Sequence, residues 1–380
     1  MRISKFMEEK YGLKGNPFLD DVAREIWLET WVNREEQLKK WREIISAAIS
    51  TNKNYLVFII GDYGRGKTLS LLKIVNESKN YKGVLPVYLN FKGEQRSKPG
   101  LDFIFRIFKS IDFQQLRQIV DEKNLTNAIE DLSEDFVEIK NILRKIYSEG
   151  EEKRLALYFI RGEIKPSQSQ LKKLEILRKI DEIDIAKEYL AGILFFIKKL
   201  GFSTLLLAID EFEYLFSLVP RTQHSIYLAL LRGLYDFPLG ISKRIKLDDV
   251  ANMVFFIAIS EDGWRNLKEM EKKEMSSGGP IQPLLDRADA ETLLTPFNKR
   301  QTMELIKKRL RFNRIKGKYE TQPLIPFTED FVDFIYGITN GEPRAIIVIC
   351  GQVLDAGLEK GVPILNKEFA QKALEERGIL

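Results

Sequence analysis

Eight residues, Gly61-Asp62-Tyr63-Gly64-Arg65-Gly66-Lys67-Thr68, follow the order Gly-x-x-x-x-Gly-Lys-Ser/Thr, which is suited to holding phosphate. The glycines let successive backbone N–H groups turn inward around phosphate oxygens, at the positive end of a helix that begins near Lys67. Lys67 reaches the β- and γ-phosphates, Thr68 offers its hydroxyl to Mg²⁺, and Leu69 completes the cradle. A second group, Leu205-Leu206-Leu207-Ala208-Ile209-Asp210-Glu211, is an apolar run ending in two acids. A carboxylate at a strand tip can hold the Mg²⁺ shell, and the next one can orient or deprotonate an attacking water. Asp210 is therefore assigned to the metal and Glu211 to the water. Acids often mark strand ends, so it is the pairing with the loop that moves the reading from nucleotide binding to hydrolysis. ATP is expected over GTP because no guanine-reading Asn-Lys-x-Asp segment follows the loop; Thr51-Asn52-Lys53-Asn54 precedes it.

These residues need a sheet to carry them. Tyr55-Leu56-Val57-Phe58-Ile59-Ile60, which runs into Gly61, is short, apolar and rich in β-branched and aromatic residues, as a strand buried on both faces requires. Runs of the same kind cover 84–89, 204–209 and 253–259, with a shorter one at 292–295. Helical spacing precedes the first strand over 32–50. Strands alternating with helices predict an α/β P-loop core, a parallel sheet covered on both faces. More than a hundred residues between Tyr88 and Thr204 show helical periodicity and no convincing strand, notably 101–111, 136–147 and 185–200, and predict a helical insertion. After Pro296 the pattern is all-helical, over 299–312, 328–336, 343–356 and 366–376. The expected organisation is a nucleotide-binding core over 1–296, with the insertion at about 100–200, and a small helical lid domain over 297–380.

Composition narrows the chemistry further. One cysteine, Cys350, excludes an intrachain disulfide, and one histidine, His224, leaves no ligand set for structural zinc. Cys350 sits in an apolar run and reads as core; His224 is expected to cap a helix or face solvent. No apolar stretch approaches a membrane span and Met1-Arg2-Ile3-Ser4-Lys5 leads into charges, so a cytoplasmic protein with no membrane partner is expected. The net charge of +5 is spread over 60 basic and 55 acidic residues and does not by itself demand an anionic partner.

With loop, acid pair and strand order in place, the sequence resembles the AAA+ ATPases. That resemblance implies further roles. Ser260, ending the strand that follows the acids, stands where the family contacts the γ-phosphate or the water. Arg287 in Leu284-Leu285-Asp286-Arg287 is the candidate for reaching a neighbouring subunit's γ-phosphate, with Arg265 in reserve; an ion pair with Asp286 or Asp289 is the alternative. Gly341-Glu342-Pro343-Arg344 is similar to the lid turn that places an arginine, here Arg344, over the phosphates. Gly15-Asn16-Pro17-Phe18 is similar to a segment lying against adenine, and a plain turn explains it equally well. Arg161-Gly162-Glu163, the helix at 185–200, Gly201-Phe202 and the strand ending Asp210-Glu211-Phe212-Glu213-Tyr214-Leu215 resemble the ATP-binding domain of BREX phage-defence systems, and more distantly replication initiators. The resemblance implies a homo-oligomeric, Mg²⁺-dependent ATPase working on DNA or a DNA-bound partner. The insertion and the ending at Leu380 depart from the initiators, and no winged-helix domain is expected after the lid.

Between Lys299 and Lys318, nine basic residues face one acid, Glu304. Met303, Leu305, Ile306 and Leu310 make this an amphipathic helix, so a solvated face, a subunit contact and a nucleic-acid surface all remain open. Ser276-Ser277-Gly278-Gly279-Pro280, flanked by Lys272 and Lys273, reads as a mobile loop and a second possible contact. Two rivals stand beside hydrolysis: an ATP-dependent switch or assembly scaffold with slow turnover, and a monomeric kinase-like phosphotransferase.

Overall fold

The computed structural model describes residues 5–19, 22–92, 98–218, 220–236, 247–274 and 281–380. The expected loop at Ser276–Pro280 lies outside them. The first half of the chain runs α1 (Glu35–Thr51), β1 (Tyr55–Ile60), α2 (Lys67–Ser78) and β2 (Val84–Asn90). Helices α3 (Pro99–Ser110), α4 (Phe113–Ile119), α5 (Glu122–Glu130), α6 (Val137–Tyr147), α7 (Glu151–Ile160), α8 (Gln168–Leu174) and α9 (Ile183–Lys199) follow. Then come β3 (Thr204–Asp210), α10 (Tyr214–Leu218), α11 (Arg221–Tyr235), β4 (Asn252–Ile259), α12 (Glu261–Glu274), α13 (Ile281–Leu285) and β5 (Ala290–Leu293). The chain ends with α14 (Lys299–Phe312), α15 (Glu329–Thr339), α16 (Pro343–Lys360) and α17 (Lys367–Glu376).

By packing, the chain forms two compact units, and these do not follow a single cut in the sequence. One comprises Lys40–Ile60 and Ile74–Thr292; the other comprises Met1–Lys39, Gly61–Lys73 and Leu293–Leu380.

The first unit holds the sheet, in the order β2-β3-β4-β1-β5. β1 pairs in parallel with β4, Tyr55 opposite Val254 through Ile60 opposite Ile259, and β3 pairs in parallel with both β4 and β2. Every residue of β3 and β4 is buried, which a strand achieves only when helices cover both faces of its sheet. This explains why their sequences are continuous apolar runs instead of alternating ones. The insertion α3–α9 joins the same core: Ile107, Phe108, Leu143, Ile146, Leu190 and Leu194 are all buried with the strand residues. Helix α9 is tied to the start of β4 where Ala251 N–H donates to Leu194 O at 3.1 Å.

Two sequence expectations change here. The fifth strand spans Ala290–Leu293 instead of 292–295, because pairing begins where Asp289 N–H donates to Leu56 O at 2.8 Å; Leu293, on an edge strand, is half exposed. His224 neither caps nor faces solvent. It is buried on α11, edge-on to the Phe216 ring at 5.4 Å, because Tyr227, Leu228 and Leu231 at helical spacing put position 224 on the inward face.

The second unit packs α14–α17 and the N-terminal segment around Tyr11, Leu13, Phe18, Ile306, Phe331 and Val353. Cys350 is fully buried within it, as its apolar surroundings predict.

Candidate nucleotide site

In the second unit the phosphate loop is a shaped turn. Arg65 N–H donates to Asp62 O at 3.2 Å, closing the turn Asp62–Arg65 with Gly64 third at φ +87°. A turn of this kind needs a left-handed third residue, which glycine adopts without steric cost. Gly66 repeats the left-handed geometry at φ +88°, and a Cβ built there meets nothing within 4 Å. Helix α2 begins at Lys67, and the Lys67 ammonium donates to Gly61 O at 2.7 Å and Asp62 O at 3.4 Å. A glycine-shaped turn with a lysine folded onto it at a helix start fits a phosphate chain.

The lid turn lies against this loop within the same unit. Gly341 has φ +75°, and an added Cβ would fall 1.8 Å from Phe297 O, so no larger residue fits. Phe297 N–H donates to Gly341 O at 2.8 Å, and Pro343 opens α16 in the first helical turn. A Cβ on Gly64 would lie 2.8 Å from Arg344 Cβ, and the Arg344 guanidinium rests 4.4 Å over the Tyr63 ring. Arg65 donates from Nε to Glu342 Oε1 at 3.2 Å and pairs through Nη2 with Asp62 at 2.9 Å.

Arg34 is a residue that sequence reading missed. It is buried, stacks over Phe297 at 5.1 Å, and donates from Nη2 to Thr295 O at 2.8 Å and Arg65 O at 3.5 Å. Burial, with Arg65 adding repulsion, lowers its guanidinium to about 10. It supports the loop from its carbonyl side. Its place in a charged run, Asn33-Arg34-Glu35-Glu36, gives no hint of burial.

In the sheet unit, the acids stand where the parallel strands end. Asp210 closes β3 and is buried; Oδ1 accepts the Glu211 N–H at 2.9 Å and Oδ2 accepts the Tyr88 hydroxyl at 2.7 Å. Tyr88 lies opposite Ala208 and Asn90 opposite Asp210, so Tyr88 and Asp210 are diagonal neighbours on one face. Burial first, then the Asp210 charge, push the Tyr88 phenol well above its usual range, so it stays a donor. Sequence reading missed Tyr88 because it depends on register between strands more than a hundred residues apart. Glu211 carries φ +58°, a left-handed backbone that glutamate rarely adopts and that is often retained at functional positions. Among the described residues, no cluster of three or more His, Cys, Asp or Glu could hold a metal ion.

Ser260 follows Ile259, the residue opposite Ile60 at the end of β1, and its Oγ accepts the Gly263 N–H at 3.0 Å, capping α12. Arg287 is held inside its own chain: Nε donates to Asp236 Oδ1 at 2.7 Å and Nη1 to Pro283 O at 2.6 Å. The ion pair is therefore with Asp236, not Asp286 or Asp289. Arg265 is exposed and pairs with Asp262 at 3.2 Å.

Asn16 is buried in a built turn. Its amide donates to Asp355 Oδ1 at 2.8 Å and Gly351 O at 3.2 Å, and its Oδ1 accepts the Phe18 N–H. The basic segment at 299–318 is largely turned to internal partners. Lys299 pairs with Asp333, Lys307 with Glu304, and Lys308 donates to Trp31 O. Arg309 is buried 3.7 Å over Trp27, and Arg314 donates to Tyr11 O at 2.6 Å. Arg300, Arg311, Lys316 and Lys318 are exposed.

Residues 109–244 match the family described as BREX system ATP-binding protein BrxC/D, a span that takes in most of the insertion and the Asp210-Glu211 strand and leaves the phosphate loop outside. Over 97 residues the chain is 29% identical to an uncharacterized HTH-type transcriptional regulator of Methanocaldococcus jannaschii, covering 26% of this chain and only 23% of that relative. The ORC2 protein of Aeropyrum pernix, solved in ADPNP-ADP complexes, superposes with a TM-score of 0.56 at 17% identity, covering 95% of this chain and 71% of that one. Cdc6p from Pyrobaculum aerophilum gives 0.48 at 15%, covering 98% and 70%. Among the described residues no helix is long and apolar enough to cross a membrane. The chain is an α/β P-loop protein of the AAA+ ATPase fold with a helical C-terminal region, and it resembles the BREX ATP-binding family.

Proposed function

We propose that this protein binds ATP with Mg²⁺ and hydrolyses it as a homo-oligomer, coupling turnover to action on DNA or a DNA-bound partner, in the manner of a genome-defence ATPase. The observation that carries the reading is the left-handed backbone at Gly64 and Gly66 of the loop, in a chain whose β3 ends in the buried Asp210 and the left-handed Glu211. Bound Mg²⁺-ATP supplies the phosphoanhydride bond that breaks and the cation that spreads its charge. The chain's own residues do the rest. Backbone N–H groups from Asp62 to Leu69 bind phosphate oxygens, and Lys67 and Arg344 neutralise them. Thr68 and Asp210 offer oxygens to the cation, with Tyr88 fixing the Asp210 rotamer. Glu211 accepts the proton of the attacking water at its carboxylate, and Ser260 donates a hydrogen bond to that water or to the γ-phosphate. Arg287 or Arg265 from a neighbouring copy would stabilise the charge that develops on the equatorial oxygens.

The Asp236 and Pro283 partners of Arg287 favour a second reading, an ATP-dependent switch or scaffold with slow turnover and no direct DNA contact. Steady-state phosphate release separates the two. Glu211→Gln is expected to retain ATP while abolishing release, a loss of at least a hundredfold; negligible release by the unaltered protein would favour the scaffold. Measuring the rate with and without duplex or single-stranded DNA at two salt concentrations tests the coupling, and absence of both stimulation and salt-sensitive binding would remove the DNA half. Specific activity that is constant across a wide dilution series, with no larger species on sizing, would remove the oligomer.

A further inference from the structure

Glu342 occupies the position just before α16, where a short polar side chain usually caps the helix, yet it makes no capping hydrogen bond. Its carboxylate turns instead to the phosphate loop. Oε1 accepts from Arg65 Nε and lies 3.2 Å from Arg65 Nη2, while Oε2 is buried and accepts no hydrogen bond. A carboxylate that forgoes local capping and leaves one oxygen unsatisfied is placed by its partner, not by its own helix. That partner sits in the phosphate loop at one of the four variable positions of the motif. Two residues further on, Arg344 rests on the ring of Tyr63, another of those positions, and its Cβ fills the space left by Gly64. The lid turn is thus attached to the loop at two points, one ionic and one cation–π, with the Phe297–Gly341 hydrogen bond fixing its other side.

We propose that Arg65 and Glu342 form a latch that registers the lid turn on the phosphate loop, making Glu342 a positioning residue that acts through Arg344 on the bound nucleotide. The inference rests on the reading that the loop binds ATP. Arg65 is held between Asp62 and Glu342, so its charge is neutralised within the protein and Arg344 is the lid cation presented to the phosphates. Without Glu342, the turn loses its ionic register and Arg344 samples more orientations.

A double-mutant cycle read by fluorescent N-methylanthraniloyl-ATP binding tests this. Glu342→Gln is expected to weaken affinity about fivefold in the unaltered protein, in keeping with a partly buried ion pair. In an Arg344→Ala background it is expected to change affinity less than about twofold, because the residue it positions is gone. Equal losses in the two backgrounds, or no loss in the first, would overturn the latch. A second readout needs no nucleotide: amide hydrogen exchange over 340–346 is expected to rise about fivefold in both Glu342→Gln and Arg65→Gln, and unchanged exchange would also overturn it. Lys67→Ala separates the two ideas. If it binds ATP as well as the unaltered protein, the nucleotide reading fails, while the exchange result still judges the latch.

Discussion

At the scale of single residues, the site combines ordinary chemistry with unusual backbone and burial. Glu211 was legible as an acid after an apolar strand, but its φ of +58° was not, since a left-handed glutamate is set by the turn it must complete. Relieving a left-handed non-glycine residue returns about 1–2 kcal/mol, against about 0.5–1 kcal/mol for the added freedom of glycine in the unfolded chain. Glu211→Gly should therefore raise stability by about 0.5–1 kcal/mol in a urea titration while ending hydrolysis. A fall in stability would show that the glutamate side chain, not the backbone, dominates at that turn. Tyr88 presents the opposite case. Removing its hydroxyl leaves a buried carboxylate oxygen of Asp210 without its donor, and Tyr88→Phe should cost about 1–3 kcal/mol. If Asp210 holds the metal, the variant should also need several-fold more Mg²⁺ for half-maximal turnover; a stability loss with an unchanged Mg²⁺ requirement would confine Tyr88 to folding.

At the scale of elements, the strands were the clearest part of the sequence. β1 matches its apolar run residue for residue, and β2, β3 and β4 each differ from theirs by one. The long helices of the insertion and of the C-terminal region likewise fall where the periodicity puts them. The edge strand β5 was displaced because the apolar pair Leu293-Leu294 straddles its end: Leu293 is half exposed while Leu294 is buried beside Gly61. An element boundary of this kind depends on which residues a neighbour covers. The turn at Gly341 is more tightly determined than any helix end near it. Gly341→Ala places a methyl group 1.8 Å from the Phe297 carbonyl and forces the backbone at φ +75° out of its well. The expected loss is about 2 kcal/mol or more, with weaker ATP binding because Arg344 leaves its place, and a native melting temperature would refute it.

At the scale of the molecule, the chain folds as two units that interleave in sequence, and the phosphate loop packs with the C-terminal helices while the strand that leads into it packs with the sheet. Cys350, buried in the loop-bearing unit, reports on that unit's opening. Burial pushes its thiol far above the usual range, so a thiol reagent reaches it only through unfolding. ATP at about a hundred times its dissociation constant should slow labelling by up to about a hundredfold, the stabilisation being about 2.7 kcal/mol. Labelling that ignores ATP would mean the nucleotide does not stabilise this unit. The basic segment also has meaning only at this scale. Read along the chain it is a cluster of nine cations; in the fold, Arg309 is buried over Trp27 and Lys299, Lys307, Lys308 and Arg314 serve internal partners. Lys299, Arg300, Arg311, Lys316 and Lys318 are the cations of this segment that are exposed.

The identity of the phosphate loop, the acid pair and the apolar strands was decided locally. Each depends on residue type and spacing over fewer than about ten positions, the range over which periodicity and turn chemistry act. What surrounds each of those pieces was decided only by the fold. The Tyr88 hydroxyl on Asp210, Arg34 beneath the loop, Asp236 on Arg287 and Glu342 on Arg65 join residues between 31 and 277 positions apart. Such contacts depend on strand register and helix facing, which no local pattern encodes, because a charged or phenolic side chain looks the same in sequence whether it meets water or a buried partner.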